Sequence, residues 1–264
     1  MAGVSSSQFS FVCCLLFLFL FMIISETRAQ PSYFLNHFCD NDKGNFTANS
    51  TYHANLNTLL SNLTSNVEID YGFYNSSYGQ NSEKVNAIGL CRGDVKPGEC
   101  RHCLNMSTAL LTRLCPNQKE AISYHDKCML RYSNRTIFGV VETWPSFYMW
   151  NANNATDVEQ FNQVLGNLMR NLTSIAASGD SRRKYAAANA YASNFQTIYG
   201  AVQCTPDLSD QDCNDCLVGA ISEISSCCGG KRGGRVARPS CNIRYENYRF
   251  YGEPVTADAP APSL

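Results

Sequence analysis

The sequence predicts an α+β protein made of two tandem copies of one module, each a small antiparallel sheet with helices on one face and disulfides as staples. Three observations carry this prediction. The segments CRGDVKPGECRHCL (Cys91 to Leu104) and CTPDLSDQDCNDCL (Cys204 to Leu217) write the same C-x8-C-x2-C pattern twice, each closed by Leu. Each half opens on an apolar stripe of helical period. Each half ends on a segment that alternates with period two.

The elements follow in chain order. Phe11 to Ile24 is an unbroken apolar run, followed by Ser-Glu-Thr and by Arg28-Ala29, with small Thr27 and Ala29 at the −3 and −1 positions. Residues 1–29 therefore read as a signal peptide cleaved near Ala29–Gln30, although its first eight residues, MAGVSSSQ, carry no Lys or Arg. The run is shorter than the ~20 residues needed to span a bilayer. Export makes disulfides permissible, and of the 14 cysteines Cys13 and Cys14 leave with the leader, so an even number stays in the mature chain. Zinc would have to rely on those same cysteines, because the chain has only 4 His. No metal or other cofactor is expected.

Aligning the halves on cysteine sets Cys91, Cys100, Cys103, Cys115 and Cys128 against Cys204, Cys213, Cys216, Cys228 and Cys241 without a gap. The surroundings repeat as well: CMLRYS after the first series faces CNIRYE after the second, pairing Arg131-Tyr132 with Arg244-Tyr245. The domains are placed at 30–142 and 143–252, each of ordinary size for one folding unit. Residues 253–264, a Pro/Ala-rich stretch without an apolar span, are expected to be a disordered tail.

Within each copy, Tyr52, Leu56, Leu59, Leu60 and Leu63, and then Val158, Phe161, Leu165, Leu168 and Leu172, follow the i, i+3/i+4, i+7 spacing of a helix packed on a core. A second helix begins at Leu-Ser-Asp-Gln-Asp-Cys, where Ser209 and Asp212 have the spacing of a capping box. That helix turns Cys213 and Cys216 to one face. In SCNIRYENYRFY, Cys241, Ile243 and Tyr245 point one way and Asn242, Arg244 and Glu246 the other, which predicts a half-buried strand in a late hairpin. A short strand at the start of each copy completes the sheet.

Several functions are excluded or demoted by the same residues. A redox C-x2-C belongs at a helix N-terminus after a strand of a βαβ unit, whereas here a third Cys always precedes it and no such unit surrounds it. A formal net charge of −1 and 16% charged residues give no basis for binding nucleic acid or anionic lipid. The one basic run, GGKRGGRVAR, reads as a flexible glycine-rich loop with solvated cations. His37, His53, His102 and His125 all lie in the first half without a nucleophile motif, so an enzyme is not expected. Asn45, Asn49, Asn62, Asn75, Asn105, Asn134, Asn154 and Asn171 each open an N-glycosylation triplet, and all precede Leu172.

The two C-x8-C-x2-C units, together with GKRGGRVARPSCNIRYENYRFY and IYGAVQCTPDLS, resemble the plant cysteine-rich repeat secretory proteins. Those modules are similar to the ginkbilobin-type antifungal domain and to the ectodomains of cysteine-rich receptor-like kinases. The resemblance implies a five-stranded antiparallel sheet with two helices per module. It also implies the pairs Cys91–Cys100, Cys103–Cys128 and Cys39–Cys115, then Cys204–Cys213 and Cys216–Cys241. Cys227 and Cys228 are left over, either bridged to each other or taken up by a local change of pairing.

The resemblance further implies a mannose site made of an Asn, an Arg and a Glu. The first copy has Ile122 and Ser133 at the Arg and Glu positions and has lost the motif. The second copy has Arg235 and Glu246, and aligning FYMWNAN on NHFCDN supplies Asn151, with Trp150 in place of the Cys. A guanidinium, a carboxylate and an amide suit vicinal hydroxyls, which donate and accept together. The competing reading is an ordinary cross-strand ion pair between Arg235 and Glu246. The expected function is thus a secreted, non-enzymatic apoplastic defence protein that binds mannose-type glycans and restrains fungi. The alternative is an extracellular module that binds receptor ectodomains or pathogen proteins, with Trp144, Tyr148 and Trp150 as anchors if they escape the core, where residues this large usually lie.

Overall fold

In a computed structural model of the chain, which describes residues 34–65, 69–192 and 196–253, the two apolar stripes become the first helix of each copy. The signal-peptide residues and nearly all of the tail lie outside the described residues. Strand β1 (Phe34–Asn45) leads into helix α1 (Thr51–Asn62), which Ser50 starts by accepting a hydrogen bond from the His53 amide. Tyr52, Leu56, Leu59 and Leu60 of α1 are buried. After β2 (Phe73–Tyr78) and β3 (Val85–Cys91) comes α2 (Pro97–Leu114), opened by a Pro whose missing N–H costs nothing at that position. The hairpin β4 (Gln118–His125) and β5 (Cys128–Ser133) closes the first copy.

The second copy repeats the order with β6 (Phe147–Trp150), α3 (Val158–Ala177), β7 (Lys184–Tyr191), β8 (Thr197–Cys204) and α4 (Asp210–Ser222). A short helical turn, α5 (Ile224–Cys227), precedes the hairpin β9 (Gly234–Ala237) and β10 (Cys241–Glu246). In α3 the predicted stripe is buried from Phe161 onward, while Val158 at its first turn stays exposed. Ser209 caps α4: its hydroxyl accepts from the Asp212 amide at 3.1 Å and donates to the Asp212 carboxylate at 2.7 Å.

The sheets have the same strand order, β1-β4-β5-β3-β2 and β6-β9-β10-β8-β7, and from Leu35 onward both lie within one compact unit. Each sheet covers one face with its helices. Leu56, Leu60, Leu104, Leu111, Leu130 and Tyr132 form the first of these cores, and Leu165, Leu172, Leu217, Val202, Ile243 and Tyr245 belong to the second. A third apolar cluster joins the opposite face of the first sheet, through Ile88, Leu90, Ile122, Tyr124 and Met129, to Phe147 and Ala237 of the second. This explains one departure from the predicted pattern. β10 alternates buried and half-buried residues, whereas β5 is buried throughout because its outer face is covered as well, Met129 by the cluster shared with the second copy and Arg131 and Ser133 by Glu120, Arg135 and Glu142.

Six disulfides staple the described residues. Cys39–Cys115 ties β1 to the end of α2, Cys91–Cys100 and Cys103–Cys128 tie α2 to β3 and β5, and Cys204–Cys213 and Cys216–Cys241 repeat these last two links in the second copy. Cys228, the counterpart of Cys115, faces a copy in which Trp150 stands where Cys39 would be, and it bonds its neighbour Cys227 instead.

Two expectations need correction. Trp144, Trp150 and Tyr148 are not core residues: they are 75%, 58% and 39% exposed, because β6 is an edge strand and Trp144 lies in the connection before it. The GGKRGGR segment is not a free loop. Lys231 Nζ donates to Asn154 Oδ1, Arg232 Nε donates to the Asn154 carbonyl, and the Arg232 amide donates to the Asn153 carbonyl, which stitches the segment to the chain after β6.

Candidate functional site

Asn151 follows β6, Arg235 lies on β9 and Glu246 ends β10, three strands that are neighbours in the second sheet. Met149 is opposite Arg235 and Arg235 is opposite Arg244 in the ladder register. Side chains two residues apart on a strand share a face, so Asn151, Arg235 and Glu246 all belong to the face away from the helices. They line one cleft of about 260 Å³, which Trp150, Tyr248 and Asp126 also border. Residues far apart in sequence are thus brought to a single concave surface.

The ion pairs within this cleft differ from the cross-strand pair weighed above. Arg235 donates to Asp126 of the first copy at 2.8 Å, not to Glu246. Glu246 accepts instead from Arg244 Nε at 3.2 Å. The register is the cause: Arg235 faces Arg244 across the ladder, while Glu246 shares a strand with Arg244, two residues on. Arg244 also donates to Asp126 at 2.9 Å and to the Tyr248 hydroxyl at 3.0 Å. Asn151 Oδ1 accepts from the Asn153 amide, which leaves its NH2 group as a donor. Close approach is secured by glycine: a Cβ on Gly233 would overlap Glu246 Oε2.

Asp126 is the residue sequence reasoning missed. Its place in the second copy is taken by Pro239, so repeat alignment offers no signal for it. Burial pushes its carboxyl up, but Arg235, Arg244 and Arg92 outweigh that and hold it below the ordinary carboxylate range. Burial and the nearby Arg244 lower the Arg235 guanidinium in turn, opposed by Asp126. Beside them, His125 lines the seam between the copies, and burial pushes its imidazole down to about 4.

One group has the atom types of a metal site. His37, Cys39 and Cys115 place their ligand atoms within 4.8 Å of one another, but both sulfurs are bonded to each other. A disulfide sulfur is not the thiolate that a metal needs. Among the described residues no helix is long and apolar enough to cross a membrane.

Comparisons with known proteins extend this picture. The family model described as salt stress response/antifungal matches residues 38–135 and again residues 149–248. Cysteine-rich receptor-like protein kinase 29 of Arabidopsis thaliana is 45% identical over 226 residues, which is 84% of this chain and 33% of that protein. The chain therefore spans about 33% of the length of that kinase. Cysteine-rich repeat secretory protein 38 of the same organism is 39% identical over 224 residues, covering 85% of this chain and 88% of that protein. The tandem DUF26 ectodomain of the cysteine-rich receptor-like protein PDLP8 from Arabidopsis thaliana superposes with a TM-score of 0.70 at 23% identity, over 81% of this chain and 96% of that one. At that identity the likeness is one of fold.

Proposed function

The chain belongs to the salt stress response/antifungal family and carries its domain twice, and from that premise we propose that it is an extracellular, non-enzymatic binding protein whose second copy takes mannose-type glycans. The observation that supports this reading is the convergence of Asn151, Arg235 and Glu246 on one cleft beside exposed Trp150. Vicinal hydroxyls of a pyranose accept from the Asn151 amide and the guanidinium groups and donate to Glu246, while the sugar's apolar face meets the Tyr248 ring at the border of the cleft. Asp126 holds Arg235 in place from the first copy, so the site depends on both copies being docked. Recognition of mannose-rich fungal wall glycans is the proposed route to defence.

Isothermal calorimetry with mannotriose tests the assignment. Wild type is expected to release a saturable heat that Arg235→Ala and Glu246→Gln each reduce at least tenfold in affinity. Undiminished heat in both variants refutes the site.

A second reading draws on the edge strand β6, where Tyr148, Met149 and Trp150 are exposed in succession. Aromatic residues on an unpaired edge suit a protein partner such as a receptor ectodomain or a pathogen protein. A partner whose capture survives excess mannotriose but is lost in Tyr148→Ala would favour this reading over the first.

A further inference from the structure

The two copies differ at the candidate cleft in a reciprocal way. On β4 and β5, Ile122 faces Arg131 and Ala121 faces Tyr132; on β9 and β10, Arg235 faces Arg244 and Gly234 faces Tyr245. One step further, the second copy has Gly233 and Glu246, and the carboxylate comes from the last strand over a bare glycine. The first copy has Glu120 and Ser133 there, and Ser133 Oγ donates to Glu120 Oε2 at 2.8 Å. The carboxylate has moved to the adjacent strand without leaving the cleft. Arg131 repeats Arg244, and Arg135 takes the place of Tyr248.

Around these residues lies a cleft of about 440 Å³, larger than the one in the second copy and within the range of ligand pockets. Glu120 and Arg131 are nearly fully buried and form its floor, braced by Arg135 and Glu142. Asp40, Asp42 and Lys43 of β1 border one side. Trp144 and Pro145 border it too, with Trp144 75% exposed. Arg131 and Arg135 are held mainly by Glu120 and Glu142, which makes them a rigid base.

We propose that this cleft of the first copy is a second carbohydrate site, independent of the Asn151–Arg235–Glu246 trio, that takes a neutral pyranose with Asp40, Asp42 and Arg135 as its polar contacts and Trp144 as its stacking face. The lining decides the ligand class. Asp40, Asp42 and Glu120 match Lys43, Arg131 and Arg135 in number, and Glu142, paired with both arginines, adds one more carboxylate, so the cleft disfavours an anion, while its guanidinium groups are already engaged and offer no excess positive charge. Both acceptors and donors are offered at short range, and an uncharged polyol satisfies both kinds. An exposed indole beside them suits the C–H face of a sugar ring. At the motif's Arg and Glu positions Ile122 and Ser133 take no direct part, and Asp40 stands at its Asn position, so position-by-position comparison shows this copy only as a broken motif.

The chain's 2 tryptophans, Trp144 and Trp150, make the test specific, since each borders one of the two clefts. The full chain is enzymatically deglycosylated first, because Asn134 Nδ2 reaches the Lys43 carbonyl at the rim and a glycan there would crowd the cleft. In Trp150→Phe, mannotriose or cellotriose is expected to change Trp144 emission saturably, and adding Asp40→Asn is expected to weaken that response at least fivefold. Trigalacturonate serves as the charged probe and is expected to leave Trp144 unchanged. A Trp144 signal silent to both neutral sugars up to millimolar concentration overturns the proposal. So does a signal of equal strength with trigalacturonate, or one unaffected by Asp40→Asn. Trp144→Phe, with Trp150 as sole reporter, reads the second copy alone, so failure of the mannose trio is distinguished from failure of this site.

Discussion

Asp126 gathers Arg235 and Arg244 at 2.8 and 2.9 Å, with Arg92 at 3.6 Å. Removing one member of a buried ion cluster leaves its partners charged and unpaired. Because the Asp126 side chain is 30% exposed, solvent softens that penalty, and Asp126→Ala is expected to cost about 1–3 kcal/mol in denaturant unfolding. A change within about 0.5 kcal/mol, the usual range for surface substitutions, would contradict the role given to it. His125 sets a pH dependence of definite sign. Its folded-state value of about 4 lies below the ordinary value of 6.5, so the unfolded chain binds the proton first. Its contribution is full above pH 6.5 and falls as pH drops toward 4, by an upper bound of about 3 kcal/mol. Glu120 and Asp126, whose carboxyls are held low by arginines, lose their contributions only at more acid pH. Unfolding midpoints measured from pH 7 to pH 4 should therefore decline, and His125→Gln should flatten the upper part of that decline.

At the scale of elements, what was legible in the sequence follows from period and burial. The helices α1 and α3 announce themselves because one face is apolar at 3.6-residue spacing, and β10 because one face is wet. β3 is buried on both faces, and a strand of that kind has no alternation to read. The edge strands β2 and β7 carry Asn-Ser-Ser and Ala-Ala-Ala-Asn, too polar or too small to mark a face. The disulfides differ by the loop each closes. Cys216–Cys241 spans 25 residues, whereas Cys227–Cys228 has a separation of 1 and constrains almost nothing in the unfolded chain. Replacing both Cys216 and Cys241 by Ser is expected to cost about 2–5 kcal/mol, and replacing both Cys227 and Cys228 well under about 1 kcal/mol. Equal losses in thermal unfolding would show that the adjacent bridge has a structural role not captured by chain entropy.

For the molecule as a whole, the repeat was visible in five cysteine spacings, but the way the copies meet was not. The third apolar cluster, the Asp126 clamp and the Gln203 amide donating to the Cys91 carbonyl all arise between segments distant in sequence. The candidate sites divide along the same line. Arg235 and Glu246 could be placed by position, whereas Asp126 and the Glu120–Ser133 exchange depend on which strands become neighbours. Of the predicted glycosylation residues, Asn134 is half-buried and the other seven are exposed; six lie on the first copy and Asn171 on α3, whereas Asn154 lies three residues after Asn151, so it is the one whose glycan would stand nearest the second cleft. The central claim is that a docked pair of stapled domains reads sugar through the second copy. A glycan array probed with wild type and Arg235→Ala tests it most directly. Binding to mannose-terminated glycans that is lost in the variant is the predicted result; no glycan bound by the wild type, or the same glycans bound equally by both proteins, would contradict it.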